Sequence, residues 1–219
     1  MIPEQLRKTL QEEFSEKMKE DVKLVVFTQE IECPSCAQTR QLAEEVSSLA
    51  PKIKLEVFDL VNDIEKAKEY KIDRVPAITL SRDRTHGVRF FGMPVGYEFR
   101  PFTEDIIGLS RGVTRLSELT RSRLRNIDRP VHIQVFVTPT CPYCPSMVSL
   151  AHQLAMESEY ITSDMVEIAE FPHLANRYAV MGVPKTVINE TVEFVGMLPE
   201  DHFLEHVLQA LKPSGAVYL

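Results

Sequence analysis

Apolar and polar positions along this chain spell out an order of elements that occurs twice. In the first half an apolar-periodic helix within residues 2–20 leads into a continuous apolar strand at 23–28, then into a helix whose Leu42, Val46 and Leu49 fall at helical spacing. A strand at 53–59, a short helix at 64–70, strands near 77–80 and 87–91 and a helix from about 103 complete that half. The second half repeats the order: a helix at 114–126, a strand at 131–138, a helix after residue 144, a strand at 164–168, a helix at 171–178, strands near 185–189 and 192–196, and a helix at 200–211. Strands alternating with helices in this way predict an α/β fold. The tail from Lys212 opens with helix breakers and is expected to be irregular.

Fixed anchors make the repeat exact in register. Cys33-Pro34-Ser35-Cys36 and Cys141-Pro142-Tyr143-Cys144 lie 108 residues apart, and so do Val75-Pro76 and Val183-Pro184. Between them Ala67, Tyr70 and Ile72 match Ala175, Tyr178 and Val180 at the same offset. The expected units are residues 1–112 and 113–219. No Pro- or Ser-rich spacer separates them, so packed units are expected rather than beads on a flexible string. From each Val-Pro proline to the following Gly-Met takes 16 residues in the first half and 12 in the second, which predicts a longer first hairpin.

Charge narrows the function. The 219 residues carry a net charge of -7, with 17 basic and 20 acidic side chains in residues 1–112 and 8 and 12 in residues 113–219. Two mildly acidic halves argue against a nucleic-acid or anionic-membrane surface. No stretch reaches the roughly 18–20 consecutive apolar residues of a membrane span. The opening MIPEQLRKTLQEEF is charged where a signal peptide would be apolar, so a cytoplasmic protein is expected. Four cysteines in two close pairs, in a compartment that keeps thiols reduced, point to redox or metal chemistry.

In each half a strand runs into a turn carrying the pair and then into a helix. That places the first sulfur at a helix N-terminus, where unpaired N–H groups and the macrodipole favour the thiolate. Cys33 or Cys141 is then the nucleophile that opens a substrate disulfide, and Cys36 or Cys144, one turn along, resolves the mixed disulfide. Glu30 and Glu32 precede Cys33, whereas residues 137–146 contain no acid, so Cys141 is expected to be the more acidic thiol and its site the stronger reductase. The competing readings are a zinc site built from both pairs and a structural disulfide in each half. A metal site is disfavoured by the 104 residues between the pairs, and each pair has its own Val-Pro partner.

Two units of this kind, one with CPYC and one with CPSC, each followed by Val-Pro, resemble the protein disulfide oxidoreductases of thermophilic archaea and bacteria. The resemblance covers nearly the whole chain. It implies two tandem thioredoxin-like folds, each a mixed central sheet flanked by helices. It also implies that Val75-Pro76 and Val183-Pro184 are cis, lie beside their disulfides and offer backbone to an extended substrate. No bound cofactor is required because the sulfurs carry the electrons, and the resemblance implies a flavoprotein reductase of the thioredoxin-reductase type as donor to a protein disulfide. Unlike thioredoxin itself, the chain has no Trp before either pair and carries Phe27 and Val135 where an acid would stand six residues upstream. Asp59 and Glu167, each 26 residues after its unit's first cysteine, are the candidate proton acceptors instead; the plainer reading is polar strand ends. Two further functions fit the same motifs: an electron-shuttling module of a peroxide-reducing system, and a non-catalytic scaffold that binds extended peptides.

Overall fold

The computed structural model describes residues 1–83 and 85–212. The expectation for the tail lies outside the described residues beyond Lys212. In chain order the elements are α1 (Glu4–Lys17), β1 (Val22–Thr28), α2 (Cys36–Ser47), β2 (Ile53–Asp59), α3 (Ile64–Tyr70), β3 (Ala77–Ser81), β4 (Thr85–Phe91), a 3-10 turn (Gly96–Glu98) and α4 (Phe99–Arg111). There follow α5 (Glu118–Leu124), β5 (Val131–Val137), α6 (Cys144–Glu157), β6 (Ile161–Glu167), α7 (Pro172–Arg177), β7 (Lys185–Ile188), β8 (Val192–Val195) and α8 (Glu200–Gln209).

Three boundaries differ from the sequence expectation for identifiable reasons. Helix α4 begins at Phe99 and not near 103, because Pro101 falls in its first turn, where a missing N–H costs nothing. Strand β6 begins at Ile161, ahead of the expected 164; Thr162, Ser163 and Asp164 break the apolar run but are hydrogen-bonded into the sheet. Helix α5 is shorter than 114–126 because Ser117 caps it, accepting the Thr120 N–H at 3.2 Å.

Among the described residues eight strands form one sheet in the order β2-β1-β3-β4-β6-β5-β7-β8. Within each half the pattern is the same. β1 pairs parallel with β2 and antiparallel with β3, which forms a hairpin with β4; β5, β6, β7 and β8 repeat this. The chain is therefore two tandem thioredoxin-like α/β folds, each a mixed sheet with helices on both faces.

Alternation along the strands sorts the core into two layers. Leu24, Val26, Ile78, Phe90, Ile133, Val135 and Met165 pack with α1, α2, α4, α6 and α8. Val25, Phe27, Ala77, Phe91, Phe136 and Val166 pack with α3 and α7 on the other face. Because both faces are covered, the strands read as continuous apolar runs instead of alternating ones.

Strands β4 and β6 pair in parallel and fuse the two sheets, with Val88 opposite Ser163 and Phe91 opposite Val166. Gly87 permits this approach: a Cβ there would lie 2.3 Å from the Ile161 carbonyl oxygen. Arg89 and Asp164 are register partners at the seam and form a buried pair, Nε to Oδ1 at 2.7 Å and Nη2 to Oδ2 at 3.0 Å. His132 Nε2 lies 2.6 Å from Asp164 Oδ2, and Arg89 Nη1 donates to the Lys71 carbonyl at 2.5 Å.

Candidate active site

Each Cys pair closes as a disulfide where a parallel strand ends and a helix begins, with Cα–Cα separations of 5.4 Å for Cys33–Cys36 and 5.6 Å for Cys141–Cys144. In both pairs the first cysteine is the more accessible. Cys33 is half-buried while Cys36 is 3% exposed, and Cys141 is 7% exposed while Cys144 is fully buried. Helix α6 carries Pro145 in its first turn, which leaves the Cys144 N–H free to donate to Cys141 Sγ at 3.1 Å. An N–H aimed at a sulfur from a helix start stabilises the thiolate. In the first half the sulfur that accepts a backbone N–H is Cys36, from Gln29 at 3.4 Å.

Val75-Pro76 and Val183-Pro184 are both cis. The Val183 carbonyl oxygen lies 3.8 Å from Cys141 Sγ, so that peptide flanks the carboxy-terminal disulfide. Both prolines are held the same way: the Pro76 carbonyl accepts the Gly92 N–H at 3.0 Å and the Pro184 carbonyl accepts the Gly196 N–H at 2.8 Å. Gly92 and Gly196 adopt φ values of 95° and 96°, a backbone conformation that explains the glycine of each Gly-Met anchor. Tyr143 (60% exposed), Met181 (95%) and Met197 (51%) present apolar surface in the segments around the second site.

The two matched acids end in unlike surroundings. Asp59 is half-buried, and its Oδ1 accepts the N–H groups of Val61 and Asn62 at 3.0 and 2.8 Å, so it holds the turn after β2. Glu167 is 4% exposed; Oε2 accepts the Glu170 N–H at 2.8 Å and Oε1 has no partner among the described residues. Burial pushes its carboxyl up, against the Ala169 and Glu170 N–H groups that favour the charge. The sheet order causes the difference: β2 is an edge strand, whereas β6 lies between β4 and β5. Glu167 opposite Val137 therefore stands between the two Cys loops, against Gly92 of the first half.

Another carboxyl is not foreseen from the sequence. Glu98 is 1% exposed and neither oxygen has a hydrogen-bond partner among the described residues. Burial first, then the nearby Asp105 charge, pushes it up to about 8. Helices α4 and α6 run side by side. Their starts meet where the Tyr97 N–H donates to the Pro139 carbonyl at 3.0 Å, and farther along His152 Nδ1 lies 2.6 Å from Asp105 Oδ2. Seven residues separate Glu98 from Asp105 and eight separate Cys144 from His152, so Glu98 sits level with the Cys144 turn. The signal in the sequence is an acid on the apolar stripe with Phe102, Ile106 and Leu109, and a helix start at 103 hides it.

Glu98 also sets a pH dependence. The native state holds a proton that the unfolded chain releases above its usual pKa of 4.5, so stability declines as pH rises from about 4.5 to about 8. Glu98→Gln should match the parent near pH 5 and exceed it at pH 8 in urea unfolding. Parallel pH profiles for the two proteins would refute the assignment.

The Thioredoxin domain family matches residues 131–209. Among curated proteins the chain is similar to the alkyl hydroperoxide reductase AhpF of Staphylococcus aureus, 24% identical over 153 residues, or 69% of this chain; it matches only 27% of that relative's length. Among solved structures, the NTD_N/C domain of alkylhydroperoxide reductase AhpF from Enterococcus faecalis shares the fold, with a TM-score of 0.87 at 23% identity over 94% of this chain and 100% of that one. A protein disulfide oxidoreductase from Aeropyrum pernix k1 superposes with a TM-score of 0.88 and is 35% identical, covering 94% of this chain and 91% of that chain. Two disulfide-bonded Cys pairs, each with its cis Val-Pro segment, on a scaffold alike in sequence from end to end, place the chain in the protein disulfide oxidoreductase family.

Proposed function

We propose that the chain is a cytoplasmic dithiol-disulfide oxidoreductase of protein substrates, built from units 1–112 and 113–219, in which the Cys141–Cys144 site is the principal reductase. The observation that carries this is the Cys144 N–H donated to Cys141 Sγ beside a fully buried Cys144. In the reduced enzyme the Cys141 thiolate attacks a substrate disulfide. A mixed disulfide forms, and the first substrate sulfur leaves and takes up a proton. Cys144 then loses its proton and attacks Cys141 Sγ. The second substrate thiol is released, the Cys141–Cys144 bond closes, and two electrons have passed to the substrate.

Glu167 and Glu98 are the buried carboxyls available to take the Cys144 proton, because each is held at the protonation borderline by burial. Asp59 serves its turn. Cys33 and Cys36 play the same parts in the first unit, and Val75-Pro76 and Val183-Pro184 bind the extended substrate. Gly112, with φ 64°, ends α4 at the unit boundary. Among the described residues no helix is long and apolar enough to cross a membrane. The electron donor is a flavoprotein of the thioredoxin-reductase type.

Insulin reduction by dithiothreitol tests the reading. The Cys33→Ser/Cys36→Ser protein should keep most of the catalysed rate, and the Cys141→Ser/Cys144→Ser protein should lose most of it. Equal rates for the two would reject the ranking of sites, and no catalysis by the parent would reject the activity. The likeness to the alkyl hydroperoxide reductase AhpF over 69% of the chain supports a second reading, electron transfer to a peroxide reductase. It predicts faster reduction of a peroxiredoxin than of insulin.

A further inference from the structure

The amino-terminal Cys pair is touched by a side chain from the other half of the chain. Ser35 occupies the N-cap of α2, yet its hydroxyl does not cap the helix; it donates to Glu170 Oε2. Glu170 Oε1 accepts the Met93 N–H at 2.7 Å. Met93 follows Gly92, the residue bonded to the Pro76 carbonyl, and a Cβ at Gly92 would lie 2.9 Å from Glu170 Oε1. One carboxylate therefore joins the Cys33–Cys36 loop to the Pro76 segment beside it. The second site has no counterpart: Ser35 is matched by the exposed Tyr143, and the position 108 residues before Glu170 is Asn62.

We infer that Glu170 is a positioning residue of the Cys33–Cys36 site, supplied by the carboxy-terminal half, that fixes the Cys loop and favours its oxidised form. The carboxylate stands at the first turn of α2, the same positive end that a Cys33 thiolate needs, so it disfavours the reduced state. The other charges around the site do not offset it. Glu30 and Glu32 are exposed acids ahead of Cys33, and Glu167 lies behind Glu170, accepting its N–H. Asp59 and Asp63 occupy the turn after β2. The neighbouring cations are engaged elsewhere: Arg74 by Asp73 at 2.8 Å, Arg40 by Glu44 at 2.8 Å and Lys66 by Glu69 at 2.8 Å.

The inference rests on Cys33–Cys36 being a redox pair, and the test separates the two. Full-length protein carrying Cys141→Ser/Cys144→Ser is equilibrated with glutathione at pH 8. Two glutathiones supply two electrons and two protons, the Cys33–Cys36 bond breaks and glutathione disulfide forms. Glu170→Gln keeps an acceptor for the Met93 N–H and removes the charge; it should shift the equilibrium constant toward the dithiol by about 3- to 10-fold. Ser35→Ala, which removes the tether and keeps the charge, should shift it less than about twofold. The Cys141–Cys144 pair, measured with Cys33→Ser/Cys36→Ser, should not respond to Glu170→Gln. A Glu170→Gln constant within twofold of the parent, an equal shift at Cys141–Cys144, or an equal shift from Ser35→Ala would each overturn the inference. A parent pair that glutathione does not reduce would overturn the redox reading of this site.

Discussion

Cys144→Ser should turn the enzyme into a trap, accumulating a covalent adduct between Cys141 and a protein substrate. The resolving thiol stands one helical turn from its target, and a reactant so placed acts at an effective concentration far above that of any external thiol. Without it, release depends on dissolved thiols and should slow by at least about 1,000-fold. Cys141→Ser should form no adduct, because Cys144 is fully buried and cannot meet a protein disulfide. Cys36→Ser and Cys33→Ser should divide the same way. Non-reducing electrophoresis with mass spectrometry of the adduct reads the result. Equal trapping by Cys141→Ser and Cys144→Ser would show that the attacking and resolving roles are wrongly assigned.

Arg89→Ala should cost about 3–5 kcal/mol of unfolding free energy at pH 7, because it leaves Asp164 buried without its main partner. Both side chains are nearly enclosed, at 9% and 3% exposure. Burial opposes the Asp164 charge, yet the Arg89 guanidinium and His132 together hold its carboxyl down at about 2. A depressed carboxyl contributes stability that is complete above its ordinary pKa of 3.8 and lost as pH falls toward 2. Arg89→Ala should therefore lose most at neutral pH and approach the parent in acid. Replacing both partners, as Arg89→Met with Asp164→Leu, should restore much of the loss, since matched apolar groups dispense with the desolvation penalty. Urea titrations at pH 3 and pH 7 provide the check. A loss below about 1 kcal/mol at pH 7 would show that the pair is not what holds the seam.

Arg89 and Asp164 also mark where the sequence stops being readable. Cysteine spacing, the Val-Pro anchors and the apolar runs carry both thioredoxin-like units, because each depends on contacts within one unit. Strand β2 is legible at 53–59 for that reason. A charged residue inside a strand reads as a solvent-facing position, and only the pairing of β4 with β6, from opposite halves, buries these two. The same pairing separates Asp59 from Glu167, which share a spacing but not an environment. Glu98 and Glu170 belong to this class as well: each is brought to the opposite half's Cys loop by a junction that no repeat within one half encodes. What the sequence shows is the duplicated part; what it hides is whatever the two copies do to each other.

That junction has a further consequence for modularity. The duplicated halves no longer behave as interchangeable parts, because neither can be excised intact. A cut at Gly112 would strip β4 or β6 of its neighbour and leave a row of unsatisfied backbone groups along an open flank, the kind of edge that recruits other chains into aggregates. It would also strand Arg89 in one fragment and Asp164 in the other, each wetted and without its counter-ion. Fragment expression should give insoluble protein from either half, and a chimera made by exchanging one half with a relative's should fold only when the donor supplies the complementary charge and a glycine at position 87.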